Sequence, residues 1–254
     1  FVLPNAFVKA NNGQPVTGEI DLGLYEVKTK GDMIRFNLPT MTTDLRVLES
    51  GGMVYFAAEQ NGQPLRLKPG YSFEINQWTE NPVQDMRLFF ETFPPSLSDT
   101  FNAWALFPDS IENNVILTSS PDTINLPGFG FFYAIDTMYT WINCDRFLDV
   151  PASQLTNASA KLSDVFTTEN TAVYLVFNEL NSVIRLWTLS DPSLFHGENF
   201  PLDAKVTFLA VAVSQDGAYF FDKKTTTLSV GKQVELLPKE TSLEKILDSL
   251  EDLP

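Results

Sequence analysis

The sequence is nearly empty of cysteine and histidine: Cys144 and His196 stand alone among 254 residues. A lone cysteine excludes an intramolecular disulfide framework. Two residues of these types cannot assemble a Cys/His zinc site, which takes about four ligands. Positive charge is scarce as well. Seventeen Lys and Arg face 32 Asp and Glu, for a net charge of −15. Such a surface repels phosphate backbones, so no nucleic-acid partner is expected. No run approaches the roughly 20 apolar residues of a membrane-spanning helix. Gly128-Phe129-Gly130 lacks the third glycine and the strand–turn–helix setting of a phosphate-binding loop. The Asp-x-Asp-x-Asp-Gly loop of an EF-hand is absent. Neither a metal nor a cofactor is therefore expected.

What is present is an ordinary globular mixture, 44% hydrophobic and 19% charged. A chain of this length hides roughly three quarters of its unfolded surface. The acidic excess is spread evenly. Residues 1–127 hold 8 basic and 15 acidic residues, a net of −7; residues 128–254 hold 9 and 17, a net of −8. That reads as general surface solvation, not as a cation-binding device. The sequence begins at Phe1 without a Met, which is read as a processed or trimmed N-terminus and a removed secretion signal.

Twenty-one Phe, 7 Tyr and 4 Trp, punctuated by 16 Pro and 13 Gly, favour strands over long helices. Asn61-Gly62 lies between alternating Val54–Glu59 and Leu65–Leu67. Asn-Gly supplies the positive φ angles of a tight hairpin turn. Asn12-Gly13 is placed the same way between Phe7-Val8 and Glu19–Val27, and Asp216-Gly217 between Val206–Val213 and Tyr219–Phe221. Val173–Phe177 pairs with Val183–Leu189, and Thr227–Val230 with Gln233–Leu236 across Gly231. Met33–Phe36, Tyr71–Ile75, Met86–Phe90, Trp104–Phe107 and Phe131–Trp141 read as further strands. Hairpins imply antiparallel pairing. The expected fold is all-β: two antiparallel β-sandwich domains with a short C-terminal helix, with closed barrels as the alternative. The helix is read over 241–251. Thr241-Ser242-Leu243-Glu244 matches a capping box, and Leu243, Ile246, Leu247 and Leu250 form one apolar stripe. A lid packed on a sheet is favoured over a docking helix, because isolated helices this short are marginal in water. Phe93–Asp99 and Leu117–Asp122 resemble joints. The second is taken as the boundary, giving an N-terminal β-sandwich domain at 1–118 and a C-terminal β-rich domain at 130–254.

Three segments carry a family resemblance. They are Leu3–Phe7 with Pro15–Ile20; Lys30–Ile34 with Leu38–Met41 and Leu48–Met53; and Trp141–Phe147. Together they resemble two-domain surface lipoproteins of the Bacteroidetes, whose N-terminal β-sandwich is carboxypeptidase-regulatory-like or ZU5-like. The resemblance implies fold and an extracytoplasmic, outer-membrane-anchored or cell-surface location. It carries over no catalytic residue. It implies contact with a membrane only through a removed N-terminal lipid anchor.

Catalytic chemistry finds little footing. A Ser–His–Asp or Cys–His site would have to use His196, which no Gly-x-Ser-x-Gly elbow accompanies; a surface-loop histidine is expected in Asp191–Asn199. Cys144 beside Asp145 reads as a buried, inert thiol. Asn143, Asp145 and Arg146 read as an internally satisfied turn anchored by Trp141 and Phe147, in preference to a pocket. Trp104, Trp141 and Trp187 lie in apolar strand patterns and read as core. Trp78 follows Asn76-Gln77 in a loop-like stretch and is the weak candidate for ligand binding, through stacking on a sugar face. Asn157-Ala158-Ser159 is a formal sequon. Asp109–Ile111, Asp122–Ile124, Asp136–Met138 and Asp248–Leu250 resemble short O-glycosylation sites. The expected function is a non-enzymatic cell-surface binding, scaffold or adhesion-type protein whose partner is a protein or glycan at the cell surface. The alternatives are a carbohydrate-binding component of a surface glycan-capture system and a carboxylate-pair hydrolase.

Overall fold

The computed structural model describes residues 1–79, 83–92, 102–107, 115–120, 128–135 and 141–254. The joint read at Phe93–Asp99 lies outside them, as do the Asp-Ser/Thr sites at 109–111, 122–124 and 136–138 and part of the boundary at 117–122. The described chain is mostly strand, in several largely antiparallel sheets, with a short helix at its C-terminal end. The all-β expectation stands.

Two compact units form, and the chain enters each more than once. Unit 1 contains Phe1–Lys28, Ser50–Glu91 and Trp104–Arg146; unit 2 contains Thr29–Glu49, Thr92–Ala103 and Phe147–Pro254. This differs from the linear division into 1–118 and 130–254. Sheet partners are chosen by apolar faces, and those of 29–49 match the C-terminal half: Met41 and Val47 are buried in a cluster with Phe177, Phe195 and Phe208.

Unit 1 pairs two sheets. The larger runs β1 (Phe7–Lys9), β4 (Gln63–Leu67), β3 (Leu48–Gln60), β10 (Trp141–Phe147), β6 (Arg87–Thr92), β7 (Ala103–Leu106), with β2 (Asp21–Val27) added to β3. The smaller is β5 (Phe73–Thr79), β9 (Gly128–Ile135), β8 (Ile116–Ser120). Phe56, Leu67, Leu88, Ile142 and Cys144 of the first sheet share a dry core with Phe73, Phe131 and Ile135 of the second. Alternation puts every second side chain on that inner face. The β3–β4 turn has Asn61 at φ 53° and Gly62 at φ 71°, the two positive values a type I′ hairpin needs. Asn12-Gly13 also turns, with Gly13 at φ 71°. It returns β1 to Pro15, however, and β1 pairs with β4, not β2.

Unit 2 is a second sandwich. One sheet is β14 (Trp187–Thr188), β15 (Leu194–Pro201), β11 (Leu155–Lys161), β18 (Lys232–Glu235); the other is β13 (Val183–Arg185), β12 (Thr171–Phe177), β16 (Lys205–Val213), β17 (Tyr219–Thr227), β19 (Lys239–Thr241). Ala160 and Phe195 of the first meet Leu175 and Phe208 of the second in one core. The β16–β17 hairpin turns on Gly217 at φ 86°. The hairpin expected across Gly231 does not form: β18 leaves β17 and pairs parallel with β11. That crossing buries Leu228, Val234 and Leu236.

Two helices belong to unit 2. α1 (Lys30–Arg35) occupies the segment read as a strand at Met33–Phe36. Thr29 caps it: the Asp32 N–H donates to the Thr29 hydroxyl at 3.1 Å, and that hydroxyl donates to the Asp32 carboxylate at 2.7 Å. This local exchange of bonds outweighs a two-residue apolar alternation. α2 (Leu243–Glu251) fulfils the C-terminal expectation, beginning two residues after 241 and ending at 251. Ser242 is the cap and accepts from the Lys245 N–H at 3.3 Å, so Glu244 is not the reciprocal partner. Ile246 and Leu250 are buried, whereas Leu243 is exposed.

Lys30 ties the two helices to the sandwich. Its ammonium donates to the Phe177 carbonyl at 2.6 Å, to the Asn178 carbonyl at 3.3 Å and to the Pro254 carbonyl. Arg35 adds the Glu251 carboxylate at 3.0 Å. Gly31 sits against α2 so closely that a Cβ there would fall 2.5 Å from the Leu250 carbonyl oxygen.

Lys30→Met is expected to lower stability by about 1–3 kcal/mol, because buried carbonyls lose their donor; the urea midpoint measures it. Burial pulls the Lys30 pKa down from 10.5 to about 8. Between those values the unfolded chain holds the proton that the folded chain has released. Unfolding free energy from this group therefore rises from pH 8 to 10.5 and is flat below 8. A denaturation series across that window in wild type and Lys30→Met should show the rise only in the former.

Candidate ligand-binding surface

Clusters that carry chemistry by residue type are engaged in structure. Ser193, only 1% exposed, donates to Asp191 at 2.8 Å and to Asp164 at 3.1 Å. Lys161 donates to the Ser193 hydroxyl at 2.6 Å and to Asp191 at 2.8 Å. A serine–lysine pair needs a neutral lysine as base. Here the bond to Asp191 and its charge raise the Lys161 pKa. The bond from Lys161 and those from Ser193 hold Asp191 down at about 2. The lysine stays charged and the hydroxyl is out of reach, so the cluster fastens the Asp191–Ser193 turn beside β11.

His196 is not in a loop. It lies within β15, half-buried, with Nδ1 3.0 Å from the Trp187 carbonyl oxygen and its ring edge-to-face on Trp187 at 4.7 Å. A side chain alternating into a sheet becomes a packing element. Trp187 and Trp104 are core, as read.

The Asn143–Arg146 stretch is strand, not turn. It lies inside β10, and Asn143 and Asp145 are fully buried. Ser50 donates to Asn143 at 3.1 Å, Asn143 donates to Asp145 at 2.5 Å, and the Gly52 N–H donates to Ser50 at 3.1 Å. These bonds pin β3 to β10 at the point where Gly52 takes φ 126°. Trp141 and Phe147 are only half-buried. Cys144 is buried as expected. Burial first, and Asp145 second, push its thiol pKa well up. Burial also raises the Glu91 carboxyl, an acid-type environment, but none of the clefts described below includes Glu91. Among the described residues no group of three or more His, Cys, Asp or Glu is arranged to hold a metal.

Unit 1 carries a group of exposed aromatic side chains. Trp78 is on strand β5, not in a loop, and is 45% exposed. Strand alternation explains both facts: its neighbour Gln77 points inward and is buried. The Lys28 ammonium stands 5.9 Å from the centre of the Trp78 ring and 3.0 Å from the Glu26 carboxylate. Glu26 shares a face of β2 with Leu22 and Leu24, which are 54% and 64% exposed. On the opposite face of β2, Tyr25 is 59% exposed and leads a row of rings: Tyr25 to Tyr55 at 5.8 Å, Tyr55 to Trp141 at 5.4 Å. The row crosses β2, β3 and β10, because Tyr25 and Tyr55 are register partners. The sequence reading singled out Trp78 and missed Tyr25, Tyr55, Lys28 and Glu26. Their signal was Leu22-Gly23-Leu24-Tyr25, an apolar run on which neither alternating set is polar.

Clefts also lie among the described residues. In unit 1 a cleft of about 210 Å³ lies between two turn tips and is lined mostly by amides. In unit 2 a broad cleft of about 520 Å³ includes Asn157, Glu198 and Asn199. Another of about 610 Å³ runs past Glu169, Arg185 and Gln215. Asn157, the sequon residue, is exposed on β11. The Asp248–Leu250 site lies within α2, with Leu250 buried.

No family model, curated protein or solved structure matches this chain. The resemblance to surface lipoproteins rests on its three segments alone.

A thiol reagent such as Ellman's should leave native Cys144 unmodified and titrate one thiol in denaturant, since the thiolate is suppressed and covered. Rapid native labelling would contradict the burial.

Proposed function

We propose that this protein is a non-enzymatic binding protein of the cell surface, of scaffold or adhesion type, working outside the cytoplasm. One observation supports the binding part: unit 1 leaves Trp78, Leu22 and Leu24 open to solvent beside the Glu26–Lys28 pair, with Tyr25 exposed on the other face of β2. Exposed apolar side chains grouped beside charged ones are the makeup of interaction surfaces. Trp and Tyr are the residue types that dominate binding energy when covered. The candidate nucleophiles support it further, since Ser193 and Cys144 are enclosed by neighbours that favour structure over reactivity. The location is supported by the three sequence segments named above.

The binding reading is tested on beads coated with the envelope fraction of source cells. Trp78→Ala combined with Leu24→Ser should weaken retention about tenfold or more, with thermal stability changed by no more than about 0.5 kcal/mol. Leu189→Ala, an exposed position in unit 2, should retain like wild type. Equal retention of all three proteins would overturn the assignment to this face. Surface biotinylation of intact cells tests the location, and protection from the reagent would reject it.

A further inference from the structure

The cleft of about 210 Å³ in unit 1 has a lining unlike that of the two other clefts described above, each of which includes a glutamate. It lies between two turns of nearly the same sequence, Asn11-Asn12-Gly13-Gln14 and Gln60-Asn61-Gly62-Gln63. Asn11, Asn12, Gln60, Asn61 and Gln63 line it together with Lys9. No carboxylate lines it, in a chain where acids outnumber bases by 32 to 17. Pro64 and Leu65 supply the apolar part of the wall.

Two of the amides are held in place. Asn12 accepts the Gln14 N–H at 3.0 Å through its side-chain oxygen, which leaves its NH₂ as a donor. Gln60 donates its NH₂ to the Thr17 carbonyl at 2.9 Å and to the Glu19 carbonyl at 3.0 Å, which leaves its oxygen as an acceptor. The turns themselves are tied. Gly13 N–H donates to the Lys9 carbonyl at 2.9 Å, and Ala10 N–H to the Pro64 carbonyl at 3.2 Å. The result is an oriented donor and an oriented acceptor, with Asn11, Asn61 and Gln63 adding both kinds.

We infer that this cleft binds one residue of a neutral saccharide. Each sugar hydroxyl is both donor and acceptor, and amides are the side chains that answer both roles without charge. The missing carboxylates disfavour a cation. A single lysine among five amides is a poor match for a phosphate, which calls for several charges or a forked guanidinium. The volume is below the roughly 300–1,000 Å³ of a drug-sized pocket, so the occupant is a single ring, with Pro64 and Leu65 against its C–H face. The inference goes beyond the aromatic-face reading: it concerns other residues of unit 1 and stands or falls separately.

The test is a ¹⁵N chemical-shift titration of the whole protein with methyl glycosides of a neutral hexose, an N-acetylhexosamine, a 6-deoxyhexose and a uronic acid, to concentrations on the order of 10 mM, where weak single-ring binding registers. Saturable shifts on Lys9–Gln14 and Gln60–Leu65 are expected with at least one neutral glycoside. Asn11→Ala/Gln63→Ala, which replaces two exposed amides without hydrogen bonds among the described residues, should weaken that binding about tenfold or more while leaving the remaining spectrum unchanged. Trp78→Ala should leave it intact, which separates this site from the aromatic face. Absence of saturable shifts with every neutral glycoside would sink the inference. So would binding of the uronic acid alone, shifts centred on Trp78, or an unaltered affinity in the double variant.

Discussion

Each unit depends on one constraint: two sheets must close over a single dry layer, and every strand is committed to showing that layer one of its two faces. In unit 2 the layer is phenylalanine-rich, with Phe177, Phe195, Phe200 and Phe208 fully enclosed. Gly197 shows how tight it is. A Cβ there would fall 2.5 Å from the Phe200 ring and 2.8 Å from Leu186, so β15 can cross the ring only where it has no side chain. Two sets of buried polar groups show how the interior admits them with partners. Lys30 has three carbonyl oxygens, and Ser50, Asn143 and Asp145 form a chain of bonds. That is how a buried polar group is tolerated.

The same constraint determines what is left for function. Ser193, Lys161, His196 and Cys144 are drawn inward or into turn-fastening bonds. Among the described residues, closure leaves outside strand β2, the row of rings across β2, β3 and β10, and the amide tips of two turns. Loops and edges on a rigid sandwich are the usual carriers of recognition.

The fold class was legible because alternation and Asn-Gly or Asp-Gly turns act locally. The β3–β4 and β16–β17 hairpins follow from residues within about a dozen positions of one another. The misreadings have two causes, an overlooked local helix cap and competition from a partner far away in sequence. Met33–Phe36 looked like a strand until the Thr29–Asp32 exchange is considered. The Gly231 turn looked like a hairpin, but β18 finds a better place on β11, more than seventy residues earlier. The unit division was illegible for the same reason, since 29–49 gives no compositional hint that its apolar residues belong to a core built after residue 147. Of the candidate surface, Trp78 was legible as an unusual aromatic beside amides. Its placement on a strand was not, and Tyr25 and Tyr55 could be joined only once the β2–β3 register was known.

The tie from Lys30 to the Phe177, Asn178 and Pro254 carbonyls spans 147, 148 and 224 positions of sequence. During synthesis, the stretch Thr29–Glu49 leaves the ribosome long before its partners exist. It must wait, with Met33, Met41 and Val47 uncovered, until nearly all of the chain has followed. Contacts this distant in sequence also slow the search for the native state. The core of unit 2 cannot close until residues beyond 147 have been made, and the waiting segment is where a chaperone would be most useful.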